Sequence, residues 1–205
     1  LMSGPVVVGN GHQELGSDGH LLDGTPLQNV TLTIPKGTKI LAERNFDGEG
    51  SVPNVSYLQI TRGSRIVAEG TVDEPIVLSS DEAGYYHSNA WGGLIIQGLA
   101  GHTQCMPDDS VCNAQDSEIG VDDTPIHGLL GYYGGADEAD SSGVLRHVVI
   151  TAPGRDYDYD ENGTPIHTEF AGLKLQSVGS ATDISHVQVH RNGGSDTNAG
   201  LTLSG

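Results

Sequence analysis

The segment Asp158 to Glu169, DYDENGTPIHTE, sets oxygen-bearing residues at alternate positions ahead of a glycine and ends on a carboxylate. That spacing matches the calcium-loop template at every specified position, with Asp158, Asp160 and Asn162 as side-chain ligands, Thr164 offering its backbone carbonyl and Glu169 a bidentate carboxylate. Gly163 stands where such a loop turns sharply, and Asp156 adds a further carboxylate beside the set. Hard oxygen donors suit calcium better than zinc or copper. Pro165 and the strand-and-turn patterns on both flanks oppose helices, so the expectation is a ligand loop without an EF-hand. Extracellular sites of this kind hold calcium at about 10⁻⁴ to 10⁻³ M, which suits stiffening a loop rather than signalling. The competing reading is a solvated acidic loop that matches by chance in an Asp-rich chain.

The charge balance, 27 Asp and Glu against 9 Lys and Arg for a net −18, would repel a phosphate backbone and excludes nucleic acid as an expected partner. Carboxylates at Asp47 and Glu49, Asp108 and Asp109, Asp122 and Asp123, and Asp137, Glu138 and Asp140 match no ligand spacing and read as solvated loops. No apolar run approaches the roughly 20 residues of a membrane span.

Cys105 and Cys112 lie close together in the polar stretch HTQCMPDDSVCNAQDSE, where a small disulfide loop in an oxidising compartment is the expectation; paired metal thiolates would need further Cys or His at finger-like spacing. Aligning LRHVVIT with ISHVQVH puts His147 beside His186, about one strand spacing of 4.8 Å apart, with His190 roughly 13 Å further along the face. Two such imidazoles could share a transition metal or titrate together, or could form a plain exposed ladder. Tyr85, Tyr86, Trp91, Tyr132 and Tyr133 lie in or beside loops, where flat rings could stack on sugars or pack against the body of the fold. No nucleophile stands in a recognisable catalytic motif, so no catalytic residue is assigned. Arg146, Arg155 and Lys174 are the basic residues near the acidic loop that a polysaccharide lyase could use.

The elements that must position these residues are short strands joined by turns. LTIPKGTKILAE is echoed by LQITRGSRIVAE with each position displaced by the same number of residues; GGLIIQG by AGLKLQS and AGLTLSG; and LRHVVIT by ISHVQVH. Sandwiches and propellers also consist of short strands, but only a solenoid stacks copied positions in register. The expected class is therefore all-β, a right-handed parallel β-helix forming one domain over residues 1–205. Leu58, Ile60 and Ile66 are expected to stack on Leu32, Ile34 and Ile40. Inward alternation assigns Ile76, Leu78, Leu94, Ile96, Val148, Ile150, Leu173, Leu175, Val187 and Val189 to the same core. Gly37, Gly63, Gly93 and Gly172 are expected at corners, and loops at 44–56, 81–90, 99–141 and 153–169.

The phrases VVVGNGHQEL, VTLTIPKGTKILAE, RGSRIVAEGTVDEPIVLSS, WGGLIIQGLA, YYGGADEADSSGVLRHVVI and AGLKLQSVGSATDISHVQVH follow one another over most of the chain. In these it resembles secreted bacterial β-helix proteins of pectin-lyase-like architecture, mostly uncharacterised. The resemblance implies a right-handed parallel β-helix and export to the cell surface or beyond, and it implies no reaction. Such proteins run on through further coils, whereas GLTLSG ends on an apolar strand pattern without a polar cap. The expectation is a processed or partial chain, or an end covered by another molecule.

The functional expectation is a non-catalytic extracellular or cell-surface module, stabilised by calcium and structural or ligand-binding in role. Its partners would be calcium and either its own copies stacked head to tail as a filament or a surface polysaccharide. The alternative is a polysaccharide lyase or glycoside hydrolase on the same scaffold.

Overall fold

A computed structural model describes residues 1–43, 55–81, 90–103, 105, 111–116, 120–121, 124–125, 131–154, 156–159, 165–168, 170–193 and 200–205, with 120–121, 124–125, 156–159 and 165–168 described as backbone alone. Every regular element in them is a strand.

Three faces wind around one core. The first is a five-stranded parallel sheet of β1 (Val6–Val8), β4 (Leu58–Ile60), β7 (Leu94–Gln97), β15 (Leu173–Gln176) and β17 (Leu201–Ser204), in that order. The second and third share one sheet. β2 (Thr31–Ile34) pairs with β5 (Arg65–Glu69), and β5 with the first half of β12 (Gly143–Thr151); β3 (Lys39–Ala42) pairs with β6 (Ile76–Ser80), and β6 with the second half of β12. β16 (Asp183–His190) covers both halves of β12. Sequence neighbours thus lie on successive faces, while each strand pairs with one from another coil, all in parallel, which defines a parallel β-helix.

Alternation along these strands fills the interior. Leu58, Ile60, Ile66, Ile76, Leu78, Leu94, Ile96, Val148, Ile150, Leu173 and Leu175 are buried in one cluster, and Leu32, Ile40, Val187 and Val189 pack against it. Each fully buried Leu or Ile contributes about 1.5–3 kcal/mol relative to exposure. The corner glycines Gly37, Gly63 and Gly93 have φ of +74°, +80° and +91°. At Gly93 a Cβ would also stand 2.5 Å from the Ala171 carbonyl, so the approach of neighbouring coils excludes any side chain. Gly172 lies outside the left-handed region and serves by closeness instead, because a Cβ there would meet Pro153 at 2.8 Å.

One expected register is corrected. Leu32 pairs with Ile66, and Ile40 with Leu78, whereas Leu58 and Ile60 pair with Val6 and Val8 on the first face. The echo between LTIPKGTKILAE and LQITRGSRIVAE relates one strand–glycine–strand corner to a different corner of the coil. The other two echoes are true stacks: Leu94, Leu173 and Leu201 lie in one row, and Leu145 beside Ile184.

Excursions leave the coil as small antiparallel pairs. The 98–142 insertion carries β8 (Ala114–Gln115) paired with β11 (Tyr132–Tyr133), and β9 (Gly120–Val121) paired with β10 (Thr124–Pro125). β13 (Asp156–Tyr159) and β14 (Pro165–Thr168) form a hairpin. No helix among the described residues is long and apolar enough to cross a membrane.

Candidate functional site

Strand alternation turns Gln59, Ile95, Gln97, Lys174 and Gln176 away from the core on the first face, where a solvated surface would be expected. All five are buried, none more than 3 % exposed. Described residues of the 98–142 insertion fold back over this face: Gln97 Nε2 donates to the Gly131 carbonyl, and Asp116 meets Lys174 and Gln176. Val55, Tyr57 and Phe170 cover Ile95, with the Tyr57 and Phe170 rings stacked at 5.2 Å.

Beneath the insertion runs a polar seam. Gln59 Nε2 donates to Gln97 Oε1 at 2.9 Å, Gln97 Nε2 to Gln176 Oε1 at 3.0 Å, and Gln176 Nε2 to Asp116 Oδ2 at 2.8 Å. Lys174 Nζ lies 3.1 Å from the same Asp116 oxygen, with both side chains 4 % exposed. At the neighbouring corner the fully buried Arg62 donates to the carbonyls of Gly11, Gln13, Cys112 and Gly134 and to Asn113 Oδ1, at 2.7–3.0 Å. It ties the N-terminal loop and the insertion to one turn. Burial pulls its guanidinium down to about 10, still cationic at neutral pH. Tyr133 is pushed up to about 12, by burial first and by the Asp116 carboxylate second.

Cys105 and Cys112 form a disulfide with Cα atoms 5.5 Å apart, and Cys112 packs with Ala114 and Tyr133. For the aromatic residues that the structure describes, burial fits packing against the body of the fold, the second of the two expectations. Trp91, Tyr132 and Tyr133 are 1 %, 3 % and 4 % exposed, so their faces pack within the protein, and Trp91 Nε1 donates to the Thr151 carbonyl. Tyr85 and Tyr86 lie outside the described residues.

Of the expected calcium ligands, Asp156 and Asp158 fall on β13, opposite Thr168 and His167 of β14. The hairpin has strands where an EF-hand has helices. Asp160, Asn162, Thr164 and Glu169 lie outside the described residues.

His147 and His186 come together as the aligned strands require, their rings stacked with centroids 4.5 Å apart and planes 26° apart. Both occupy single-residue corners at φ of +49° and +54°. Near-parallel rings direct their nitrogens along similar rather than converging lines, which does not favour one shared ion. Beside them Arg146 bridges Glu69 and Asp183 at 2.9 and 2.6 Å, a half-exposed ion-pair row contributing about 0–1 kcal/mol. Among the described residues no three His, Cys, Asp or Glu converge on one point. A concavity of about 480 Å³ opens among Leu173, Ile184, Val187 and Leu201 where β17 leaves Leu201 and Leu203 half or more exposed.

A parallel β-helix whose seam is closed by its own insertion defines the class, and the comparison with protein families agrees. Residues 23–198 match the pectate-lyase-like beta helix domain, and the chain belongs to that family. Searches of curated proteins and of solved structures found no match.

Sequence reasoning missed the seam. Its glutamines and lysine alternate with core residues and read as solvent-facing, and nothing in the aperiodic insertion signals where it lands.

Proposed function

We propose that the chain is a non-catalytic module of a cell-surface or secreted protein, a rigid scaffold whose β13–β14 hairpin is stiffened by calcium. The observation that carries this reading is the covered first face. A gathering of charged and amide side chains, Arg62, Asp116, Lys174 and the three glutamines, is buried beneath the insertion and spent on holding it down. Acid–base catalysis needs such groups within hydrogen-bond reach of a substrate. Family membership supports an extracellular, carbohydrate-related setting.

The chain has three lysines, Lys36, Lys39 and Lys174. Acylating the native protein with a small amine-reactive reagent should modify Lys36 and Lys39 and spare Lys174. Labelling of Lys174 at a comparable rate would mean that the seam opens to solutes, and would favour the alternative, a lyase or hydrolase working on that face.

A further inference from the structure

The geometry points to an intramolecular amide cross-link between Lys174 Nζ and Asp116 Cγ, joining the insertion covalently to β15. Three observations carry it. The amine and carboxylate are already in contact at 3.1 Å, held by elements far apart in sequence. Both are sealed from water, and in a dry site the hydration that ordinarily holds such a pair in its ionic form is missing. The glutamine row also has a direction: Gln59 donates to Gln97, Gln97 to Gln176, and Gln176 to Asp116 Oδ2, so each amide is polarised toward the carboxylate.

The reaction is a condensation without a change of oxidation state. One ammonium proton of Lys174 passes to the Asp116 carboxylate, giving amine and carboxylic acid. The nitrogen lone pair attacks Cγ and a C–N bond forms as the carbonyl electron pair moves onto Oδ1, while Oδ2, which takes the Lys174 proton and accepts from Gln176 Nε2, becomes the hydroxyl that leaves. The C–OH bond then breaks, and the hydroxyl leaves with a second nitrogen proton as water. Fixed contact in the folded chain supplies the proximity that makes amide formation feasible between groups unreactive in solution. The inference does not depend on the absence of catalysis on a polysaccharide.

Intact-mass measurement on the reduced, denatured protein tests it. The expected mass is one water below that of the sequence, with a digest containing one branched peptide that joins the Lys174 and Asp116 segments, and with Lys174 resistant to acylation even after denaturation. The Lys174→Met variant should recover the full mass. A parent at full sequence mass overturns the proposal, and so does a water loss that persists in Lys174→Met, since it must then arise elsewhere. A sealed but unlinked seam is recognised separately: Lys174 is protected in the native protein and labelled once unfolded.

Discussion

The imidazole of His186 stacks on that of His147 with 4.5 Å between ring centroids, and both residues hold the left-handed backbone that turns the second face into the third. Histidine tolerates this conformation better than most residues, and β-branched residues tolerate it worst. His186→Gly should therefore be close to neutral, because relief of backbone strain offsets the lost ring contact. His186→Val should cost about 1–3 kcal/mol. Urea denaturation of the two variants beside the parent checks the order; equal losses would mean that the ring contact, not the corner, governs this site.

The contact between Asp116 and Lys174 makes a thermodynamic prediction for the protein in its ionic, unlinked form. Asp116→Ala takes a carboxylate away from a buried ammonium and should cost about 3–5 kcal/mol. The double variant Asp116→Leu, Lys174→Met removes both charges at similar volume and should lose much less. Chemical denaturation of single and double variants measures the difference, and additive losses would contradict a direct pairing.

Burial lowers both His12 and His102 from 6.5. Above pH 6.5 neither state binds their protons, and their contribution to stability is fully present. As pH falls below 6.5 the unfolded chain protonates first, so stability drops until the folded-state values are passed. Melting temperature should decline through this acid range, and less steeply in His102→Gln. At the alkaline end Tyr133, raised from 10.0 to about 12, makes stability fall as pH climbs through that interval.

The hairpin of β13 and β14 should bind calcium at millimolar concentration or below, with a rise in melting temperature that is much smaller in Asp160→Ala. Calorimetric titration with parallel melts measures both. No heat and no shift at millimolar calcium would mean that DYDENGTPIHTE is a solvated loop that matches the template by chance.

The interior of this fold is legible because a buried strand demands apolar residues at every second position, and the assigned core from Leu32 to Val189 lies in or against the central cluster. The coil register is legible only where an echo spans a whole turn. LRHVVIT and ISHVQVH do stack, whereas LTIPKGTKILAE and LQITRGSRIVAE resemble each other because any strand–glycine–strand corner needs the same residue types. The outward side of the first face is illegible for a different reason. Gln97, Lys174 and Gln176 are ordinary surface residues until a non-repeating insertion covers them, and Arg62 inside the TRGS corner gives no sign of its five acceptors.

The most direct measurement of the central claim is product release from a panel of neutral and acidic extracellular polysaccharides, with millimolar calcium, read as new reducing ends and as unsaturated termini. A non-catalytic scaffold with a sealed first face releases neither, even where it binds the polymer. Turnover by the parent that is lost in Lys174→Met or Asp160→Ala, with both variants still folded, would contradict it and make the chain a polysaccharide-cleaving enzyme.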